Sequence, residues 1–341
     1  MFGNIDVILL SNSYWLGEDV PCLTYGLRGV IHASIEISSS RPDLHSGVEG
    51  GAVSEPLIDM IKILASLVGD DGKVLIPGFY DKLRAVTPAE EKFYDPIIEW
   101  LESQKPSTPP SSPPSSSIWA NALLNREKDL KRSLMARWRY PTLTVHKIDV
   151  SHNNNTIIPR RAQAAVSMRV VPDQEIRDIR EQFEGHVQEV FGKLKTDNII
   201  TVNIRNTADW WLGDPDTEYF KAAEKVIEEL CSFFITLWLS RTYLFYTYLI
   251  KQEWGVKPLY IREGGSIPAV RWLERFFDAV AVHLPMGQAS DQAHLNNERI
   301  RLRNLHAGRR IVKSLLRELS TRDGKRVSVG AGVSPSAEGS N

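Results

Sequence analysis

The sequence predicts an α/β protein in which a sheet domain is interrupted by a smaller α+β domain. Between residues 28 and 205, strands with strict apolar–polar alternation follow or precede amphipathic helices. In the remainder, short apolar runs alternate with helical stretches, the pattern of an α/β sheet domain. A chain of 341 residues with 42% hydrophobic and 24% charged residues is long enough for two such cores.

The central segment has the element order β-α-β-β-α-β. Its first strand places Ile31, Ala33, Ile35 and Ile37 on one face and polar side chains on the other. The other predicted elements are a helix at 55–68, strands at 142–148 and 164–170, a helix at 175–194 and a strand at 200–204. This order indicates a ferredoxin-like arrangement, an antiparallel sheet with both helices on one face.

The flanking segments predict the second domain. Residues 6–10 form a short apolar run that is typical of a buried strand. Helices are expected at 218–229, 267–277 and 298–319, and apolar strands at 259–261 and 280–284. We therefore expect residues 1–27 and 206–320 to form one sheet domain around the central domain, 28–205.

Three segments do not fit either domain. The Pro/Ser-rich stretch 103–118 is predicted to be disordered, because it cannot bury apolar area. Residues 231–253 are largely apolar and aromatic, but Arg241 at their centre and recurring Ser and Thr favour a dispensable insertion, preferably a translated intron, over a membrane span. The Gly/Ser-rich tail, 321–341, is also predicted to be disordered.

Composition limits the partners and the compartment. A net charge of −1 gives no reason to expect nucleic acid or an anionic membrane as a partner, and the arginines at 299–310 are interpreted as a solvated helix face. Two cysteines cannot build a disulfide framework or a structural zinc site. Residues 1–11 lack the pattern of a secretory signal, so a cytoplasmic location is expected.

Three loops carry candidate functional residues, although each signal alone is weak. His45 lies in a turn before a Gly-rich segment, where an imidazole is more often structural but can donate to a developing oxyanion. Ser266, in G-G-S-I-P before a helix, is typical of a carboxylate or phosphate cradle. His294 lies among polar groups before a helix and is a candidate metal ligand.

Eight motifs occur in one order along about three hundred residues. They are S-N-S-Y-W-L-G at 11–17, P-C-L-T-Y-G-L-R-G at 21–29, D-L-H-S-G at 43–47, R-W-R-Y-P-T-L at 137–143, T-I-I-P-R at 156–160, S-M-R-V-V-P at 167–172, R-E-G-G-S-I-P at 262–268 and A-H-L-N-N-E at 293–298. With them the chain resembles the carnosine dipeptidase branch of metallopeptidase family 20. The wording of the motifs is most similar to the peptidase-like subunit of the fungal glutathione-degrading complex.

The resemblance implies a fold, a site and partners. It implies a catalytic domain that binds two zinc or manganese ions, interrupted by a ferredoxin-like lid that forms a homodimer. His294 matches the last metal ligand of the family, and His45 matches the lid histidine that reaches across the dimer to the substrate carbonyl. Arg169 matches the residue that holds the terminal carboxylate of a small peptide, with Thr156 and Ser266 as hydrogen-bonding helpers.

Two departures from the family pattern lead to competing hypotheses. The family's H-x-D motif, bridging aspartate and Glu-Glu pair would all precede Asp6, and its remaining aspartate ligand falls at Asn12, a neutral amide that binds divalent ions poorly. The first hypothesis is therefore a small-peptide hydrolase of glutathione catabolism, truncated and inactive alone. The second is a non-catalytic dimerisation scaffold for a glutamine-amidotransferase-like partner, and the third is a truncated chain without a stable fold.

Overall fold

The computed structural model describes residues 5–104, 129–152, 154–238 and 256–330. Within these residues two hydrophobic clusters form. The α/β class and the interrupted arrangement predicted from the sequence are confirmed.

The strands and helices are numbered in chain order. The strands are β1 Val7–Leu10, β2 Cys22–Leu27, β3 Gly29–Ser38, β4 Leu44–His45, β5 Thr142–Val150, β6 Ile157–Ile158, β7 Arg161–Val170, β8 Ile199–Ala208, β9 Trp211–Leu212, β10 Leu259–Glu263 and β11 Val280–His283. The helices are α1 Ser46–Glu49, α2 Pro56–Ala65, α3 Pro88–Ser103, α4 Leu130–Trp138, α5 Ile176–Lys193, α6 Glu218–Trp238, α7 Pro268–Phe277 and α8 Leu302–Gly330.

The central domain is a four-stranded antiparallel sheet in the order β5-β7-β3-β8. Alternation places Ile31 and Ile35 of β3 on the face that is covered by α2 and α5, where both side chains are fully buried. Phe183 of α5 and Met60 of α2 pack into the same cluster. Both helices cover this face and Arg169 lies on the opposite face, so the ferredoxin-like prediction is confirmed.

The second domain is built on a sheet in which β1 pairs in parallel with β11, and β2 pairs in parallel with β10. A single antiparallel bridge between His283 and Thr24 joins the two pairs, and β9 adds antiparallel to the end of β2. Helices α6, α7 and α8 contribute to the cluster on this sheet. The loop that follows β1 contacts the end of β10 through Ser13 and Glu263, and it contacts the loop after β11 through Tyr14 and Gly287.

Helices α3 and α4 lie in the sequence range predicted for the central domain, but they pack into the other core. Tyr94 and Leu101 of α3 and Trp138 of α4 belong to the cluster that contains β2 and β10. The carboxylate of Glu90 on α3 binds two buried guanidinium groups, with its Oε1 atom 3.0 Å from Arg139 Nε and 2.9 Å from Arg262 Nη2. The range 28–205 thus contributes to both cores.

Several predicted boundaries differ from the structure. The helix predicted at 298–319 begins only at Leu302, and it is preceded by residues with positive φ angles at His294 and Asn297. It continues to Gly330. α6 extends to Trp238, into the predicted insertion 231–253. Residues 105–128, 239–255 and 331–341 lie outside the described residues, and with them most of the Pro/Ser stretch and the apolar segment.

Among the helices of the described residues, none has the length and apolar composition needed to cross a membrane.

We predict that Glu90→Gln destabilises the protein strongly. The substitution removes the negative charge between Arg139 and Arg262, and leaving buried charges unpaired costs about 3 kcal/mol or more. Urea unfolding curves measure the loss. The control is Glu91→Gln, because Glu91 is half-exposed and its ion pair with Lys131 should contribute under about 1 kcal/mol. Equal curves for the two variants would contradict this.

Candidate active site

A polar cleft of about 240 Å³ lies beside the end of β1. Asn12, Ser13 and Tyr14 line one side, and His294 and Glu298 are among the residues of the other side. The two segments are held together by the bridge between Tyr14 and Gly287 and by the bond from Trp15 N to Gly287 O, 2.9 Å long. The structure therefore brings His294, the predicted metal ligand, into one cleft with Asn12, the neutral amide at the position of a family aspartate ligand.

Glu263, at the end of β10, is a carboxylate that the sequence analysis did not single out, and it contacts Ser13 of the cleft. Ser13, which has a φ angle of 69°, donates its hydroxyl to Glu263 Oε1. Burial raises the pKa of Glu263 to about 7, although the bonds from the Ser13 hydroxyl and the Tyr14 backbone lower it. Glu263 therefore changes its protonation near neutral pH.

A buried histidine positions the loop that carries Asn12. His283, at the end of β11, is fully buried, and its Nε2 lies 2.6 Å from the backbone oxygen of Asn12. Because a carbonyl oxygen only accepts, Nε2 carries the proton. Burial lowers the pKa of His283 to about 4, so the ring is neutral at neutral pH and Nδ1 has no hydrogen-bond partner within the described residues.

A second group of polar residues lies where the two domains meet. Arg169, on the open face of the four-stranded sheet, donates from Nη1 to Ser266 Oγ at 2.9 Å. Arg28 bonds to the backbone oxygens of Gly264 and Tyr140 at 3.2 and 3.1 Å. Burial, together with the like charges of neighbouring arginines that include Arg169, lowers the pKa of Arg28 to about 10. The structure therefore joins Arg169 and Ser266 in a positively charged corner.

His45 and Thr156 form a third group. The short strands β4 and β6 pair His45 with Ile157, and the backbone N of Ser46 bonds to the oxygen of Thr156 at 2.8 Å. His45 is exposed, and its Nδ1 accepts from Gly47 N at 3.0 Å, where it caps α1. The hydroxyl of Thr156 bonds to Asn154. The β4–β6 strand pair presents the imidazole to solvent.

The β4–β6 strand pair and Arg169 lie at opposite ends of the four-stranded sheet. β6 ends just before β7 begins at Arg161, whereas Arg169 is near the other end of β7. A strand rises about 3.3 Å per residue, so the length of β7 from Arg161 to Arg169 corresponds to roughly 26 Å. Within one copy of the chain, His45 and Thr156 therefore lie far from Arg169.

Comparisons with known proteins agree with this architecture. The family profile described as "Peptidase dimerisation domain" matches residues 25–195. The "Probable di- and tripeptidase DUG2" of Saccharomyces cerevisiae is 33% identical over 88% of this chain, and the "Cys-Gly metallodipeptidase dug1" of Schizosaccharomyces pombe is 32% identical over 94%. A solved structure of the dipeptidase Dug1p from Saccharomyces cerevisiae superposes with a TM-score of 0.72 and 29% identity over 93% of this chain. The chain belongs to the M20 peptidase family.

The match covers only part of each relative. The chain spans 29% of the length of the first relative, 60% of the second and 60% of the solved structure. What those proteins do as complete chains therefore enters only as a proposal below.

A two-metal centre does not fit the donors that the described residues supply. No group of three or more His, Cys, Asp or Glu side chains among them is arranged to hold a metal ion. In the cleft, His294 is exposed, Asn12 offers a neutral amide oxygen that already accepts from Ser13 N at 2.5 Å, and Asp291 accepts from Gln288 N at 2.9 Å. Two cations need more charged donors than this cleft presents.

Glu263 and His283 act through long-range contacts, so the sequence alone gave little sign of them. Glu263 stands in the motif R-E-G-G-S-I-P, beside Ser266, and its position at the end of a predicted strand was the one available signal. His283 lies in the apolar run 280–284, where a histidine is unexpected. Its contact, Asn12, is more than 250 residues away in the chain.

We predict that Glu263→Gln changes how stability depends on pH. The pKa of Glu263 is raised from 4.5 in the unfolded chain to about 7, so the folded chain binds more protons between these values, and stability falls as pH rises from 5 to 7. The fall due to this group is about 2 kcal/mol. Urea unfolding at pH 5 and pH 7 should show the variant gaining stability relative to the parent at pH 7. A pH-independent difference would contradict the assignment.

Proposed function

We propose that this chain forms the lid and part of the sheet domain of a metal-dependent hydrolase of small peptides that acts in glutathione breakdown. The observation that carries the proposal is the contact between Arg169 and Ser266, 2.9 Å, in the same loop region as Glu263, which bonds to Ser13 of the cleft that contains Asn12 and His294. The names of the relatives support the reaction class, since they are described as dipeptidases or tripeptidases.

Arg169 and Ser266 are proposed to hold the terminal carboxylate of the peptide. A guanidinium group presents several N–H donors in a fixed fork that matches a carboxylate, and here one of them is already oriented by the Ser266 hydroxyl. The guanidinium is half-buried, and reduced contact with water strengthens its attraction for an anion. Ser266 also stands just before α7, whose N-terminal N–H groups favour negative charge.

His45 and Thr156 are proposed to serve this site in a second copy of the chain. An exposed imidazole can donate to the oxygen of a substrate carbonyl as negative charge develops there. The roughly 26 Å spanned by β7 separates the β4–β6 strand pair from Arg169 of its own copy. A homodimer is therefore required to bring His45 and Arg169 together. The match to a peptidase dimerisation domain supports this arrangement.

Hydrolysis by this chain alone is not part of the proposal. When two divalent ions are bound, such centres activate water and polarise the carbonyl group. The donors of the described residues do not fit such a centre, so the missing ligands would have to come from the portion of the fold that the relatives contain and this chain does not span.

The same observations favour a second function. The chain contains a dimerisation domain, and its described residues hold no metal-ligand cluster, so a non-catalytic scaffold for an amidotransferase-like partner is also proposed. Metal content separates the two proposals. A preparation of the longer protein that binds neither zinc nor manganese, while its partner alone cleaves the γ-glutamyl bond, would support the scaffold.

We predict no dipeptidase turnover by the purified 341-residue chain. Cys-Gly is incubated with the chain in the presence of zinc or manganese, and release of glycine is measured. Since the metal donors are too few, the rate should equal that of buffer with metal. A rate above this background that disappears in the variant Arg169→Ala would contradict the prediction.

We also predict that the purified chain is a dimer. Light scattering after size-exclusion chromatography should give twice the 38.5 kDa mass of one chain at micromolar concentration. The variant His45→Ala should remain a dimer, because His45 is exposed and its proposed contact is with substrate. A monomer across the concentration range would exclude the shared site.

A further inference from the structure

Two β-bulges face each other across the four-stranded sheet of the central domain. The pairing of β3 with β8 shifts between His32 and Ala33, which leaves Arg205 as the extra residue of β8. The pairing of β5 with β7 shifts between Val145 and Lys147, which leaves His146 as the extra residue of β5. Since Ala33 pairs with Val166, both bulges flank one residue pair at the centre of the sheet.

Each bulge directs a polar side chain onto the face of the sheet opposite to α2 and α5. His146 Nε2 lies 2.8 Å from the hydroxyl of Ser167, and Arg205 Nε donates to the hydroxyl of Ser34 at 3.4 Å. Ser34 and Ser167 are 2% and 4% exposed, although they lie on the open face. Bulges commonly change the direction of a side chain next to a functional site. Here the two bulges lie at the same height along the strands, so they bring residues of the two edge strands, β5 and β8, near the same part of the sheet.

These side chains line a groove of about 300 Å³, separate from the cleft that contains His294. Its charged groups are Arg205 and Lys147, together with Asp149, which pairs with Lys147 at 2.6 Å. After this pairing the groove retains the charge of Arg205. Burial, with smaller contributions from Arg169 and His146, lowers the pKa of His32, so its neutral ring can donate or accept a hydrogen bond.

We infer that this groove is a binding site for a small carboxylate anion. Arg205 donates from Nε to the hydroxyl of Ser34, and its two Nη groups form no hydrogen bond with the described residues. These two groups are suited to a bidentate contact with a carboxylate. His32 and Asn206 also line the groove and can donate to the same anion. The volume is that of a small-ligand pocket, and the positive charge complements the ligand. The inference does not depend on the proposed peptidase function.

Isothermal titration of the purified 341-residue chain with glutarate, at pH 7 and low salt, tests this site. We expect saturable binding that weakens as salt is added, since the contact is charged and partly exposed. Arg205→Gln should weaken binding on the order of 10-fold, the loss expected for one charged hydrogen-bonding group. The control Arg180→Gln should bind as the parent does, because Arg180 lies on α5, which covers the other face, and pairs with Glu184.

Three results would overturn the inference. One is the absence of glutarate binding, and another is equal weakening by Arg205→Gln and Arg180→Gln. The third is that the parent dimer binds no glutarate and that the variant Arg205→Gln dissociates into monomers. In that case this face of the sheet would be an interface between copies. Inorganic phosphate serves as a second probe, and binding of phosphate without glutarate would equally exclude a carboxylate site.

Discussion

The length of β7 is the constraint on which the proposed site depends. This strand carries Arg169 near one end, and its other end adjoins the β4–β6 strand pair, beside which His45 and Thr156 lie. Antiparallel pairing with β3 along ten residues keeps the strand straight enough that its two ends cannot meet. Groups that the sequence motifs place in one site are therefore separated within a copy, and the proposed shared site needs a second copy.

The contacts between the two domains set the orientation of Arg169. Arg28 begins the central domain and bonds to the backbone of Gly264 and Tyr140, while Arg169 bonds to Ser266. Arg262, in the strand β10 that precedes Gly264, is paired with Glu90 in the buried core. Because β10 runs from Arg262 into the Gly264–Ser266 loop, the stability of the core and the orientation of Arg169 are physically coupled.

The sequence predicted the elements whose periodicity is simple, and it missed those whose position depends on distant contacts. β3, β7 and α5 each have one apolar face, so alternation or helical spacing identified them. β2 is buried along its whole length and lacks alternation, and α3 contains Pro96, which argues against a helix in sequence. Glu263 and His283 gain their roles only when β1, β10 and β11 meet, and bulges at His146 and Arg205 leave no local pattern.

Photo-cross-linking from position 45 measures the central claim most directly. A benzoylphenylalanine residue replaces His45, and the cross-linked products are digested and identified by mass spectrometry. A site shared between copies predicts cross-links between two chains that join position 45 to the peptide containing Ser266. Cross-links confined to one chain, or absent from the loop of Ser266, would contradict it.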